Sequence, residues 1–187
     1  KSGVAAIICA AIAAFEKGSP AGGVRLILTA AEELGCFGIQ QLTETSDLGD
    51  AKAVIVAEPT ANSPATGHKG GLYLNVTTKG KTAHSSMPEL GENAIYKAAR
   101  AINKIANFEF IAGKDPLLGY PTINVGKMSG GQNLNSVPAS AEFTIDVRST
   151  TKVKHTDIIK QLKEMFGGEA EIEVLVDKAA VSTKESD

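Results

Sequence analysis

The stretch from residue 70 to residue 177 most constrains the fold of this chain. "GGLYLNVTTKGK" (70–81) sets Leu72, Leu74 and Val76 against Tyr73, Asn75 and Thr77. A period of two marks a strand with one face buried and the other wet. "GENAIYKAARAINKIANF" (91–108) switches to a helical period, with Ile95, Ala98, Ile102 and Ile105 on one stripe. "YPTINVGKMSGG" and "ASAEFTIDVRST" read as two more strands, joined across "GQNLNSVP". "KHTDIIKQLKEMFGG" is a second amphipathic helix with a glycine stop, and "EAEIEVLVD" is a last strand. The order β-α-β-β-α-β predicts a ferredoxin-like split βαβ sandwich, two helices on one face of an antiparallel sheet.

The sequence before this block has another texture. Residues 3–16 carry Ala, Ile and Val on nearly every side, which predicts a helix buried against a sheet. The same run mimics a secretory signal, but it is shorter than the roughly 20 apolar residues that cross a bilayer. "KGSPAGG" (17–23) is a loop. "VRLILTA" (24–30) and "AKAVIVAEPT" (51–60, stopped by Pro59) are continuous apolar runs of the kind found in buried parallel strands, with "GCFGIQQLTET" as a helix between them. Strand, helix, strand predicts an α/β layer with a parallel sheet. The boundaries fall near Gly67 and Asp177. Residues 67–177 are then one domain that interrupts another, whose pieces are 1–66 and 178–187.

Composition narrows the partners. A net charge of −2 argues against a nucleic-acid or anionic-membrane ligand. With no Trp and 5% aromatics there is no stacking platform for bases. Cys9 and Cys36 have no C-x-x-C spacing and read as buried free thiols in a reducing compartment, the cytoplasm.

Chemistry concentrates in a few residues. Glu32 and Glu33 sit side by side after the first apolar run. In an open parallel sheet ligands bind at the carboxyl ends of strands. Neighbouring residues of an extended chain point opposite ways, so one carboxylate is free to bind a cation while the other handles a proton. Glu58 ends the second run and would bring a third carboxylate to the same edge. Three carboxylates repel unless a metal neutralises them. On composition alone the plainer reading is three solvated loop acids. His84 reads plainly as a partly exposed loop histidine, Arg148 as a strand-end arginine in a surface ion pair, His68 as part of a glycine-rich linker, and His155 as a surface residue opening a helix.

A resemblance shifts the balance. "TAAEELG" (29–35) looks like the T-x-[DE]-E-E-x-G motif of the dinuclear zinc amidohydrolases and metallopeptidases. That family holds acetylornithine deacetylase, succinyl-diaminopimelate desuccinylase, aminoacylase, glutamate carboxypeptidase and related dipeptidases. "KSG" (1–3) looks like the tail of its D-x-K-[SG]-G motif, and "AEPT" (57–60) resembles its second-metal segment. "GKTAHSSMPELGENAI" (80–95) resembles its G-x-x-x-H-S-x-P-x-x-G-x-N-A-I segment, and "NSVPASAEFTIDVR" (135–148) its N-x-[VI]-P…D-x-R stretch. The matches run in family order from the first residue to Arg148.

What the resemblance implies is specific. The fold would be a partial parallel-sheet metallopeptidase catalytic domain (1–66) interrupted by a dimerisation, or lid, domain (67–177), with a return at 178–187. Glu32 would be the general base, Glu33 and Glu58 ligands of two Zn (or Co or Mn) ions, and His84 a donor to the oxyanion in the partner subunit of a homodimer. Asn135 and Arg148 would hold the substrate. The chain would be an internal fragment, with two of five expected protein ligands, and inactive alone. The expected reaction is cleavage of the amide bond of an N-acyl amino acid, of the acetylornithine deacetylase or succinyl-diaminopimelate desuccinylase type. The competing readings are a di- or tripeptidase or carboxypeptidase of the same family, and a non-catalytic dimerisation or binding module.

Overall fold

A computed structural model of the chain describes residues 1–18, 20–45 and 49–183. Its contacts divide it into two units, Lys1–Pro64 and Ala65 onward.

The second unit carries the order anticipated above. Strand β2 (Gly70–Lys79) is followed by helix α3 (Ala94–Ala106), strands β3 (Thr122–Gly130) and β4 (Ser140–Ser149), helix α4 (His155–Phe166) and strand β5 (Ala170–Lys178). The four strands form one sheet in the order β3-β4-β2-β5, every pairing antiparallel. Sequence period and register agree. Leu72, Leu74 and Val76 of β2 and Phe143, Ile145 and Val147 of β4 point to one face and are fully buried there. Tyr73, Asn75 and Thr77 share the other face with Asp146, Thr144 and Glu142.

The helices cover the apolar face. In α3 the deepest side chains are Ala94, Ala98, Ala101 and Ile105, with Ile95 and Ile102 flanking them. Small alanines let the helix axis approach the sheet closely. In α4 Ile158, Leu162 and Phe166 recur at a spacing of four and are buried. Phe166 meets Phe143 edge to face at 6.3 Å, an arrangement worth about 0.5–1.5 kcal/mol beyond the burial of the rings. His155, expected on the surface, is only 9% exposed. Its ring bridges Ser149 Oγ at 2.7 Å and Asp177 Oδ1 at 2.5 Å, tying the start of α4 to the ends of β4 and β5. Burial is tolerated because both ring nitrogens are satisfied.

Two short strands close the base of this unit. β1 (Gly67–His68) pairs antiparallel with β6 (Val181–Ser182). The loop before β3 is anchored nearby by Asp115, which is 2% exposed and accepts from the backbone N–H groups of Leu117 and Leu118 and from the Thr151 hydroxyl.

The first unit departs from expectation. Helix α1 (Ser2–Glu16) and helix α2 (Phe37–Thr45) form where apolar and helix-favouring residues place them, yet neither has a buried residue. The runs 24–30 and 51–60, anticipated as parallel strands, are not in a ladder. Ile55 is 86% exposed and Leu28 53%. A parallel strand owes its burial to neighbours on both edges and layers on both faces. Among the described residues of this unit, α1 is the main cover. It touches Ala57 at Gly3, and it flanks Val24 and Leu26 through Ile8, Ala11, Ile12 and Phe15. For the same reason the thiols, expected to be buried, are not: Cys9 is exposed and Cys36 half-buried, both free.

Candidate functional site

The segment 80–94 builds the most ordered part of the site, and each of its marked residues has a local job. Strand β2 ends at Lys79, and Gly80 then passes so close to the start of α3 that an added Cβ would lie 2.1 Å from the Glu92 carbonyl oxygen. Lys81 and Glu92 exchange backbone hydrogen bonds of 2.9 and 2.8 Å, closing the loop between them at its neck. Pro88 begins a single 3-10 turn, Pro88–Leu90, where its missing N–H costs nothing. Gly91 faces Lys81 O and Val137, with no room for a side chain. Asn93 caps α3, its side chain accepting from the Tyr96 N–H at 3.2 Å.

His84 stands on this closed loop, exposed. The loop runs antiparallel to the segment before β4. His84 bridges Ser136, Ser85 N–H donates to Asn135 O at 2.9 Å, and Val137 N–H donates to Ala83 O at 2.8 Å. His84 is therefore the cross-strand partner of Ser136, and Ser85 that of Asn135, with both His84 and Asn135 exposed. The ring of His84 lies against its own turn: Nδ1 is 2.8 Å from Ser86 Oγ and 3.2 Å from Ser86 N.

Arg148 is placed elsewhere. It is the last but one residue of β4, opposite Gly71 and Thr122. Its guanidinium grips Asp146, with Nη2 donating to Oδ2 at 3.1 Å and Nε 2.9 Å from Oδ1, and it lies over the Tyr73 ring, 5.1 Å from the centroid. The Nε contact is an ion pair off the hydrogen-bond axis, since Oδ1 has no hydrogen-bond partner. The hydrogen bond and charge of Asp146 raise the pKa of Arg148 above its ordinary value, so it stays a cation. The ion pair anticipated for a strand-end arginine is present. Asp146 is a partner that sequence reading passed over, although residues two apart on a strand share a face.

His84–Asn135 and Arg148 leave the sheet at opposite ends. Lys79 pairs with Ser140 at one end and Gly71 with Arg148 at the other. Ser140 to Arg148 along a strand is about 26 Å at a rise of about 3.3 Å per residue.

In the first unit, Glu32 and Glu33 lie exposed in the turn 32–35, after Ala31 at φ 61° and before Cys36 at φ 62°. Glu32 O accepts from Gly35 and Cys36, and Gly38 N–H reaches back to Ala30 O, so the turn folds directly onto the start of α2. Glu58 is exposed at the end of its run. No group of three or more His, Cys, Asp or Glu side chains comes together among the described residues, so Glu32, Glu33 and Glu58 are not gathered at one edge. The cause is the one given for the fold: without a ladder between the two runs nothing aligns their ends. A catalytic zinc takes three protein ligands, and the described residues alone do not supply them. Of the remaining histidines, His68 is exposed in β1 with Nδ1 3.0 Å from Lys69 O, and His155 is internal to the fold.

Known proteins are similar to this chain in sequence and in fold. Residues 66–173 match the family model of the peptidase dimerisation domain. An acetylornithine deacetylase of Myxococcus xanthus is 32% identical over 147 residues, covering 76% of this chain and 38% of the relative. A probable succinyl-diaminopimelate desuccinylase of Staphylococcus epidermidis is 30% identical over 88% of this chain and 47% of its own length, and a probable carboxypeptidase of Aspergillus terreus is 30% identical over 92% and 42%. The chain thus spans less than half the length of these relatives. Among solved structures, a tripeptidase of Staphylococcus aureus shares the fold with a TM-score of 0.63 at 24% identity, covering 93% of this chain and 47% of that one. Among the described residues no helix is long and apolar enough to cross a membrane. The match over residues 66–173 takes in more than half of the chain, which belongs to the peptidase dimerisation domain family of the M20 peptidases and amidohydrolases.

Proposed function

We propose that the protein containing this sequence is a metal-dependent amidohydrolase that removes the acyl group from an N-acyl amino acid, as the acetylornithine deacetylase and succinyl-diaminopimelate desuccinylase names of its relatives suggest. The observation that carries this reading is the exposed His84 on a loop locked at Lys81–Glu92 and bridged to Ser136, the residue after Asn135. A solvent-facing imidazole on a backbone-locked loop is a device for donating a hydrogen bond to a developing oxyanion, worth roughly 3 kcal/mol in the transition state. Glu32 would take the proton of the attacking water. Glu33 and Glu58 would each give one carboxylate to a dinuclear zinc-type centre that needs further ligands. Such a centre supplies a water acidified toward a pKa of ~7.

The 26 Å between the two ends of β4 supports a two-subunit site. An N-acyl amino acid or a dipeptide spans on the order of 10 Å, so it does not reach His84 and Arg148 of one chain together. A C2 homodimer would resolve this by offering His84 and Asn135 of one subunit to a substrate whose carboxylate is held by Arg148 of the other. Arg148 suits that task because a planar guanidinium can bind a carboxylate bidentately, although here it makes a single hydrogen bond and an ion pair to Asp146.

Mixing inactive variants tests this. His84→Gln and Arg148→Met dimers, each inactive, should regain about a quarter of wild-type activity after subunit exchange, because half the dimers are hybrid and each hybrid has one intact site. No recovery would mean that both residues serve the same site from one chain. Metal analysis of the full-length protein should find about two ions per subunit. Glu32→Gln should abolish hydrolysis while keeping them, and full activity in that variant would remove Glu32 from the base role. The second reading, a peptidase of the same family, is favoured by the carboxypeptidase names of several relatives. A panel of acetylornithine, succinyl-diaminopimelate and small peptides decides between them, and inactivity on all with no metal bound would leave a dimerisation or binding module.

A further inference from the structure

We propose that Ser86 is a positioning residue that fixes His84 in the Nε2–H tautomer, and so makes the ring a neutral donor aimed at the substrate's reacting oxygen. The proposal rests on the reading of His84 given above. Two contacts converge on one ring nitrogen: Ser86 N at 3.2 Å and Ser86 Oγ at 2.8 Å, both from Nδ1. A backbone N–H can only donate, so Nδ1 must accept. A hydroxyl that shares this nitrogen must then donate as well. A neutral imidazole has one N–H, which is left to Nε2.

The turn around the ring is held at both sides. Met87 N–H donates to His84 O at 2.9 Å, and Ser85 N–H donates to Asn135 O at 2.9 Å. Ser86 is thereby kept opposite Nδ1 rather than left to rotate into water. Among the described residues Nε2 has no protein partner, and the ring is exposed. One nitrogen is thus committed to the protein and the other presented outward as an N–H. The opposite tautomer would set Nδ1–H against the Ser86 N–H, donor against donor. The bare alternative, a local turn with no consequence for the reaction, uses the same contacts but makes no claim on kcat.

The test uses the full-length protein labelled with 15N-histidine, with His84→Gln to assign the ring. In alkaline buffer the His84 signals should show an unprotonated Nδ1 and a protonated Nε2. Ser86→Ala removes the hydroxyl but keeps the backbone N–H, so the Nδ1–H tautomer should appear beside the Nε2–H one rather than replace it, and kcat should fall a few-fold with KM little changed. Ser86→Thr, which keeps the hydroxyl, should restore both. A wild-type ring protonated on Nδ1 overturns the proposal, as does a tautomer that ignores Ser86→Ala. A fall in kcat without a tautomer change would reduce Ser86 to a structural residue. Full activity in His84→Gln sinks the donor role itself, whereas an enzyme that needs His84 but has a tautomer indifferent to position 86 sinks only Ser86.

Discussion

Residues 1–64 are richer in Val, Ile, Leu and Ala than residues 65–183, yet among the described residues only the second region buries them. Its strands are antiparallel, and the two helices between them cover one face. Each element therefore finds its partner inside the same stretch of chain. The first region carries apolar runs suited to a parallel sheet, whose partners are distant by construction. Hydrophobicity of a segment sets its appetite for burial. The pairing geometry decides whether a given stretch can satisfy it.

The widest separation of the two regions should come from Phe143→Ala. It removes a fully buried ring at the centre of the sheet and its edge contact with Phe166, and should cost about 3–5 kcal/mol in urea unfolding of the second region. A cost below about 1 kcal/mol would mean that the core is not packed as described. Gly80→Ala is next: a methyl group 2.1 Å from Glu92 O must push β2 away from the start of α3, and about 1–3 kcal/mol is expected, together with a displaced His84 loop. Unchanged stability and unchanged His84 resonances would count against the close approach.

Asp115 sharpens the comparison through pH. The Thr151 hydroxyl, followed by the Leu118 amide, holds its carboxyl below the ordinary aspartate value in the folded state. A depressed folded value gives stability that is present above the unfolded pKa and is lost as pH falls through the folded one. Asp115→Asn should therefore flatten the acid side of the stability profile of the second region while leaving its neutral-to-alkaline slope unchanged. An acid limb identical to wild type would remove Asp115 from that role. The smallest effect belongs to Ile55→Ala, at most about 0.5 kcal/mol in this 187-residue chain, since the side chain is 86% exposed. In the longer protein the same change should cost about 2–5 kcal/mol if the run 51–57 is a buried strand there, and equal small costs in both would rule that strand out.

Much of the second region was legible because its signals are local. Alternation in 70–79 and the spacing of Ile158, Leu162 and Phe166 each fit within one element. The run of residues around His84 singles it out in the sequence, and Gly80, Gly91 and Asn93 in the same run prove to be the packing points and helix cap that hold the loop. What sequence reading missed is what only the sheet brings together. His155 looked like a surface residue because its partners, Ser149 and Asp177, lie on two other elements. Asn135 and Arg148 fall toward opposite ends of β4, whose span from Ser140 to Arg148 is about 26 Å. In the sequence they look like a single motif, only 13 positions apart. Ser86 left a readable trace, a hydroxyl two residues after a histidine, but nothing in the chain says which nitrogen it meets.

The clasp of Gly67–His68 against Val181–Ser182, extended by the Thr183 N–H on Thr66 O at 2.6 Å, has a consequence for ancestry and engineering. The chain comes into this domain and goes out of it within one pair of hydrogen-bonded strands. A module with such adjacent ends can be spliced into a surface turn of a host without prying the host's flanking residues apart. It is a portable cassette, and grafting 65–183 into an exposed turn of an unrelated carrier should leave that carrier's own melting temperature nearly unchanged.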